Sequence, residues 1–398
     1  MIDSSFVLYI EKNLIKLSPG SVIHFTTDNG YVTGITCVIK SALDSFMKNY
    51  APILYVDGSF TILSAKIISV CFIDANHMLQ PIAMHICGEE TEADYAIVFG
   101  ILCQLGVKEL DKIIIQSDGH KAIEGATRIF NQYNVEVSHV LCVAHIMKNV
   151  ANALKEVHSD PEVYTLFKKY YYYARRAGSR GINEYWMEKI KELSLIAYEY
   201  LDKNGRSSFM YTYTEPHYLQ DTNNPAESLM SMLKTKDKNG QAIRSSKVFA
   251  MVHKFVKLTM KRMKERREAL GMSKVYPDCV QRNDPVFCDF LESYILNLGY
   301  KVEICEYNYK VIDDCTVEDR YWEESFKVNF EERTCTCRVF QQMQVPCEHA
   351  IRLLHLRNEY WKILWYVNDC YRRSNALTCC PEMFSQWNEL VRCLFNNN

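Results

Sequence analysis

The chain has no apolar run of membrane-spanning length, no basic stretch at its start, no internal repeat and no low-complexity tract. A transmembrane helix needs about 20 apolar residues, and a secretory leader opens on positive charge, which Met1-Ile2-Asp3 does not supply. No membrane association is expected, and a reducing intracellular setting is. An excess of one charge is also missing: 46 Lys and Arg stand against 48 Asp and Glu in 398 residues, a formal net of -2. Any contact with nucleic acid must therefore rest on local clusters of Lys and Arg. Cysteine is not scarce, at 16 residues. In a large chain without secretory features these are read as metal ligands, core fillers or free thiols. With 48% hydrophobic residues the chain can fill two or three cores.

Apolar periodicity gives the organisation. Residues 1–52 read as an α/β preface, with alternation from Ser21 to Ile39 broken at Asp28-Asn29-Gly30. From Leu54 the order is regular: strands ending near Asp57, over Lys66 to Ile73 and over Leu79 to Ile86, a helix from Glu92 to Leu105, a strand from Lys112 to Gln116, a helix from His120 to Tyr133, and a strand from Val135 to Leu141. The domain reading continues with a first core segment over 53–150, a helical insertion over 151–220, a basic helical region over 221–275, a cysteine-rich region over 276–375 and a tail over 376–398. Pro277 and Pro285 mark the boundary before the cysteine-rich region.

That region carries Cys335-Thr336-Cys337, nine further residues, then Cys347-Glu348-His349. Two tight pairs of soft or borderline donors suit one tetrahedral zinc, and four protein ligands leave no open position, so the zinc is expected to be structural. On a strand, Cys335 and Cys337 would share a face. Pro346 would start a helix whose first turn carries Cys347 and His349.

Three acids fall where two divalent cations could be held. Asp57 and Asp118 each end an apolar run, and Glu227 opens the helix-like Pro225-Ala226-Glu227-Ser228-Leu229. Clustered carboxylates raise one another's pKa values unless a cation neutralises them, and Mg²⁺ or Mn²⁺ are the oxygen-seeking candidates. Asp-Gly, the setting of both aspartates, is also an ordinary turn signal. The strand and helix order is that of an RNase H-like core, a mixed five-stranded sheet in which the strands bearing Asp57 and Asp118 are neighbours.

Together these residues resemble the Mutator-like element (MULE) transposases, over roughly residues 20–375. Asp57-Gly58-Ser59-Phe60 is similar to the family's first motif, Ser117-Asp118-Gly119 to the second, and Asn223-Asn224-Pro225-Ala226-Glu227-Ser228 to the third. Cys142-Val143-Ala144-His145, with Asn149 a turn later, looks like the family's Cys-x-x-His. Two ligands do not close a metal site, so a structural or substrate-positioning role is read there. The Cys-x-Cys and Cys-x-His pairs resemble a SWIM zinc finger. The resemblance implies an RNase H-like α/β core with an all-α insertion, followed by a small α+β finger domain. It also implies DDE-type strand cleavage and transfer by Asp57, Asp118 and Glu227 with two Mg²⁺ or Mn²⁺ ions, one structural zinc, DNA as partner, homo-oligomers on paired DNA ends, and a nuclear setting. The chain departs from the family at Met230, where an Asn is usual, and in having no ligand set for a DNA-reading module before Asp57. A separate DNA-recognition subunit, or a non-catalytic DNA- or protein-binding regulator, is the alternative. Lys234, Lys236, Lys238, Arg244 and Lys247 begin a basic run reaching Arg267 that would flank the bound strand. Tyr170 to Tyr173 read chiefly as helix packing, with base stacking as the rival.

Overall fold

Leu54 and Val56 alternate with Tyr55 and Asp57 along a strand, and that period of two decides which side of a sheet each residue serves. The structure, a computed structural model, describes residues 18–49, 51–60, 65–74, 78–157, 161–209, 212, 224–234, 248–271, 309–319 and 324–371. By contacts the chain divides into two units, one formed from 1–140, 223–286 and 373–398, the other from 141–222 and 287–372.

In the first unit, strands β1 (Val22–Asp28), β2 (Tyr31–Val38), β3 (Ile53–Phe60), β4 (Lys66–Ile73), β5 (Leu79–Cys87), β6 (Lys112–Ser117) and β7 (Glu136–Leu141) form one mixed sheet in the order β1-β2-β5-β4-β3-β6-β7. β3 pairs antiparallel with β4 and parallel with β6. The sheet has seven strands where five were expected. The preface supplies the other two as a hairpin, turned at Asn29 and Gly30 with φ of 49° and 79°, an Asn-Gly pair suited to that positive-φ turn. Pro81 lies within β5 where pairing with β4 shifts register, between Val70 and Cys71; a residue without an N–H is tolerated at such a bulge.

Helices α1 (Lys40–Met47), α2 (Glu92–Leu105), α3 (Lys121–Ala126) and α4 (Arg128–Asn131) cover the sheet. Leu43, Phe46, Tyr95, Phe99, Leu102, Ile123 and Phe130 close a core with Leu54, Val56, Ile68 and Val70 of the strands. The single helix expected over His120 to Tyr133 is two, with Thr127 between them. α2 starts at a capping box, Thr91 Oγ1 accepting from Asp94 N–H and Asp94 accepting from Thr91 N–H, and stops at Gly106, whose φ of 150° is open to glycine. Helices α9 (Asn224–Lys234) and α10 (Val248–Gly271) complete this unit, α9 packing on β3 and β4 and α10 on β5.

The second unit opens with α5 (Val143–Val157), α6 (Pro161–Arg176), α7 (Arg180–Leu193) and α8 (Leu195–Asn204). Ser194 ends α7 and caps α8, its hydroxyl accepting from Ala197 N–H. Tyr171 stacks on Phe167 and is buried, while Tyr170 and Tyr173 pack on Trp186. Packing thus uses three of the four tyrosines, and Tyr172 stays 46% exposed. A four-stranded sheet, β8 (Tyr309–Val311), β9 (Thr316–Asp319), β10 (Glu324–Asn329) and β11 (Thr334–Cys335), follows with helices α11 (Val339–Met343) and α12 (Glu348–Leu356). Ala177, just past the end of α6, and Ile182 of α7 share one core with Val317, Phe326, Phe340, Ala350 and Leu353. The helix expected over Phe287 to Leu298 and the polar loop from Thr214 lie outside the described residues. No helix among the described residues is long and apolar enough to cross a membrane.

Candidate metal centre and acidic site

Cys335 closes the short strand β11, but Cys337 lies in the turn beyond it, so the pair is a knuckle and does not rely on strand alternation. Arg338, at φ 65°, turns the chain, and its N–H donates to Cys335 O at 2.8 Å. Gln341 clamps the knuckle from α11: its Oε1 accepts from Cys335 N–H at 3.1 Å and its Nε2 donates to Cys335 O at 3.0 Å. Cys347 is the residue that caps α12 and stands just before the first turn, not within it; His349 is in that turn. Gly178, between α6 and α7, abuts the knuckle so closely that a Cβ there would lie 2.6 Å from the carbonyl of Cys337.

All four donors are buried and lie within 4.8 Å of one another. His349 Nδ1 stands 3.8 Å from Cys335 Sγ and 3.9 Å from Cys347 Sγ. Tetrahedral zinc with Zn–S bonds of about 2.3 Å holds its ligand atoms roughly 3.5–3.8 Å apart, so the observed spacing fits that ion. Burial pushes the thiols of Cys337 and Cys347 up, while hydrogen bonds from Cys337 and Cys347 hold Cys335 well below the usual thiol range. Burial penalises the thiolate forms, and a divalent cation bound to the sulfurs would offset that cost. Nδ1 faces the sulfurs because the other nitrogen is engaged: Nε2 lies 3.4 Å from Asp319 Oδ2, and that carboxylate is 2% exposed. The His349 ring also stacks on Phe326, with centroids 4.2 Å apart, and meets Tyr309 edge-on.

In the first unit, β3 continues past Asp57 to Phe60, so Asp57 sits within the strand and not at its end, opposite Ser69 of β4. Because Leu54 and Val56 enter the core, Asp57 projects from the other face. Asp118 directly follows β6, and its Oδ1 accepts from His120 N–H at 3.0 Å. Gly119 has φ 84°, a turn suited to glycine. Glu227 is exposed in the first turn of α9. Burial and the charge of Asp118, followed by those of Glu227 and Glu90, push Asp57 from 3.8 up to about 7, against the hydrogen bond from Gly58. Asp57, Asp118 and Glu227 are not a group with every ligand atom within 4.8 Å of the rest. Cations about 3.5–4 Å apart spread their ligands more widely than one ion does.

Glu90 is the acid that periodicity did not single out. It lies over Gly58, where a Cβ would come 1.6 Å from Glu90 Oε1, and Tyr95 and Lys66 hold it. His85, Cys87 and Asp94 also come within 4.8 Å of one another. There His85 is committed to Thr36 at 2.8 Å and to Asp94 at 3.2 Å, and Asp94 belongs to the α2 cap, so local structure accounts for them.

Of the other expected residues, Cys142 and His145 keep their ligand atoms within 4.8 Å of each other, and the rest separate. Cys142 is buried, and Asn149 donates to Tyr200 OH at 2.8 Å, joining α5 to α8. His145 is half-buried on α5. Lys234 ends α9, while Lys236, Lys238, Arg244 and Lys247 lie outside the described residues. Farther along the run, Arg266 is not a phosphate contact: it is 1% exposed, with Nε 2.7 Å from Asp74. Lys257 and Lys261 remain exposed on α10.

Three sulfurs and an imidazole in a knuckle-and-helix frame define a small structural zinc module. Its sequence is matched by the SWIM zinc finger family model over residues 317–358. That span takes in Asp319 as well as the four ligands. No curated protein matches the chain.

Proposed function

We propose that the chain is a DDE-type polynucleotidyl transferase core of the Mutator-like kind, with an RNase H-like sheet and a zinc-stabilised SWIM finger, acting on DNA in the nucleus. The carrying observation is the convergence of charge on Asp57, which sits on a strand paired parallel with the one leading to Asp118 and feels Asp118, Glu227 and Glu90 together. Such a group is stabilised by bound cations, and Mg²⁺ or Mn²⁺ there would activate a water and stabilise a leaving oxygen. Asp57, Asp118 and Glu227 would hold the ions; β3 and β6 fix the first two, and α9 presents the third. Homo-oligomers on paired ends and a separate DNA-recognition subunit belong to the same reading. The Cys142–His145 pair serves packing or substrate positioning.

The test is metal-dependent nicking and strand transfer on labelled DNA ends. Asp57→Ala, Asp118→Ala and Glu227→Ala should each abolish product while zinc content stays at one per chain. A parent inactive with every divalent ion and end sequence tried would overturn the enzyme reading. A second reading, a zinc-binding DNA- or protein-binding regulator without catalysis, draws on the three carboxylates not forming a group with every ligand atom within 4.8 Å of the rest. It predicts binding without turnover.

A further inference from the structure

A cavity of about 260 Å³ lies where the turn between α6 and α7 meets the finger, lined by Tyr172, Tyr173 and Arg176 on one side and by Tyr309, Phe326 and Glu348 on the other. Its carboxylates are committed. Glu348 accepts from Tyr309 OH at 2.7 Å, and Asp319, also in the wall, faces His349. Arg176 is not so placed. Its guanidinium lies 4.8 Å over the Tyr172 ring, and its Nε is shut off from solvent without an acceptor among the described residues. A buried charged donor left unpaired is costly, and a guanidinium held over a ring keeps its planar set of donors as a fork for an oxyanion. Tyr172 is 46% exposed, so this platform is reachable from water.

We infer that the cavity binds one nucleotide of a single-stranded nucleic acid, with Arg176 taking a phosphodiester oxygen and the tyrosine-lined wall taking the base. A phosphodiester carries a single charge, which the neighbouring Glu348 and Asp319 oppose less than they would a dianion. Stacking on tyrosine tolerates any base. A carboxylate would satisfy Arg176 but leave the aromatic walls against water. The inference rests on the nucleic-acid reading above and adds a contact that the acids of the first unit do not supply.

Fluorescence anisotropy of a labelled oligothymidylate with the full, zinc-loaded chain tests it. Arg176→Ala and Tyr172→Ala should each weaken binding about tenfold, Arg176→Lys should restore part of the loss, and zinc content and melting temperature should not change. Arg180→Ala, which removes an exposed cation one turn away, should change affinity far less. Parent-like binding by both cavity variants would overturn the inference and leave the nucleic-acid reading standing. A parent that binds neither single-stranded nor duplex DNA would overturn both. Binding of a labelled acidic peptide that Arg176→Ala abolishes and oligothymidylate does not compete would show that the ligand class is wrong.

Discussion

His349 turns one nitrogen to the sulfurs and the other to Asp319, and a carboxylate behind a metal-bound imidazole fixes its orientation and raises its basicity. Asp319→Asn is therefore expected to keep the fold and lower zinc affinity about 10- to 100-fold, read by competition with a chelating dye; unchanged affinity would show the carboxylate to be dispensable. Cys347→Ala should lose the ion outright by elemental analysis. Asp57 makes a second prediction at this scale. Its pKa of about 7 in the fold exceeds the ordinary 3.8, so between those values the native state holds more protons than the unfolded chain. Stability from this group is fullest near pH 4 and falls as pH rises through 7. Asp57→Asn should raise the melting temperature by several degrees at pH 8 and by little at pH 4, and millimolar Mg²⁺ should lift the parent but not the variant. The four zinc ligands were legible because paired spacing is a strong sign. Asp319 and Glu90 were not, because a single carboxylate on a strand or in a loop carries no spacing.

Among the elements, α10 has a face that its charge count hid. Its abundance of cations suggested a face turned to phosphate, and Lys257 and Lys261 stay exposed, while Val252, Phe255, Val256, Thr259, Met263 and Arg266 recur at helical spacing and are all buried. The apolar stripe was present in the sequence, and the charge count overshadowed it. Arg266 ends that stripe because Asp74 and Ser45 meet it and Phe72 lies beneath its guanidinium. Removing one member strands the other charge in a dry site, so Arg266→Ala should cost about 3–5 kcal/mol in urea unfolding. The pair Arg266→Ala with Asp74→Ala should cost less than the sum of the singles, and simple additivity would show that the two do not act together. The knuckle also differs from its reading. Alternation predicts that two cysteines on a strand face one way, but β11 ends at Cys335, and a positive φ at Arg338 brings Cys337 round instead.

For the whole molecule, the order of strands and helices from β3 to β7 followed from periodicity, since short apolar runs separated by turns admit few pairings. The two added strands did not, because nothing local says whether a hairpin joins an existing sheet or stands alone. The union of the finger with helices α6 and α7 was equally hidden, being a matter of Ala177, Gly178 and Ile182 meeting residues about 140 to 170 positions away. Because that core is shared, removal of zinc is expected to loosen the helices as well as the finger. Trp186, packed on Tyr173 and bordering both the shared core and the helices' own core around Phe167, Tyr171 and Ile190, should report it as a fluorescence change on adding chelator, with a lower urea midpoint for helical signal. A helical signal indifferent to chelator would mean that the helices stand by themselves.

The chain passes between the two units near residues 140, 222, 286 and 372, and this interleaving matters during synthesis. Asp57 and Asp118 leave the ribosome with the strands that carry them, but Glu227 emerges only after the whole first helical segment of the other unit. At the usual pace of translation that delay is on the order of ten seconds. The nascent sheet must hold its two aspartates for that time without the third acid, and the emerging helices must in turn wait for the zinc-bound finger. Each half of the molecule is thus finished only after the ribosome has begun the other.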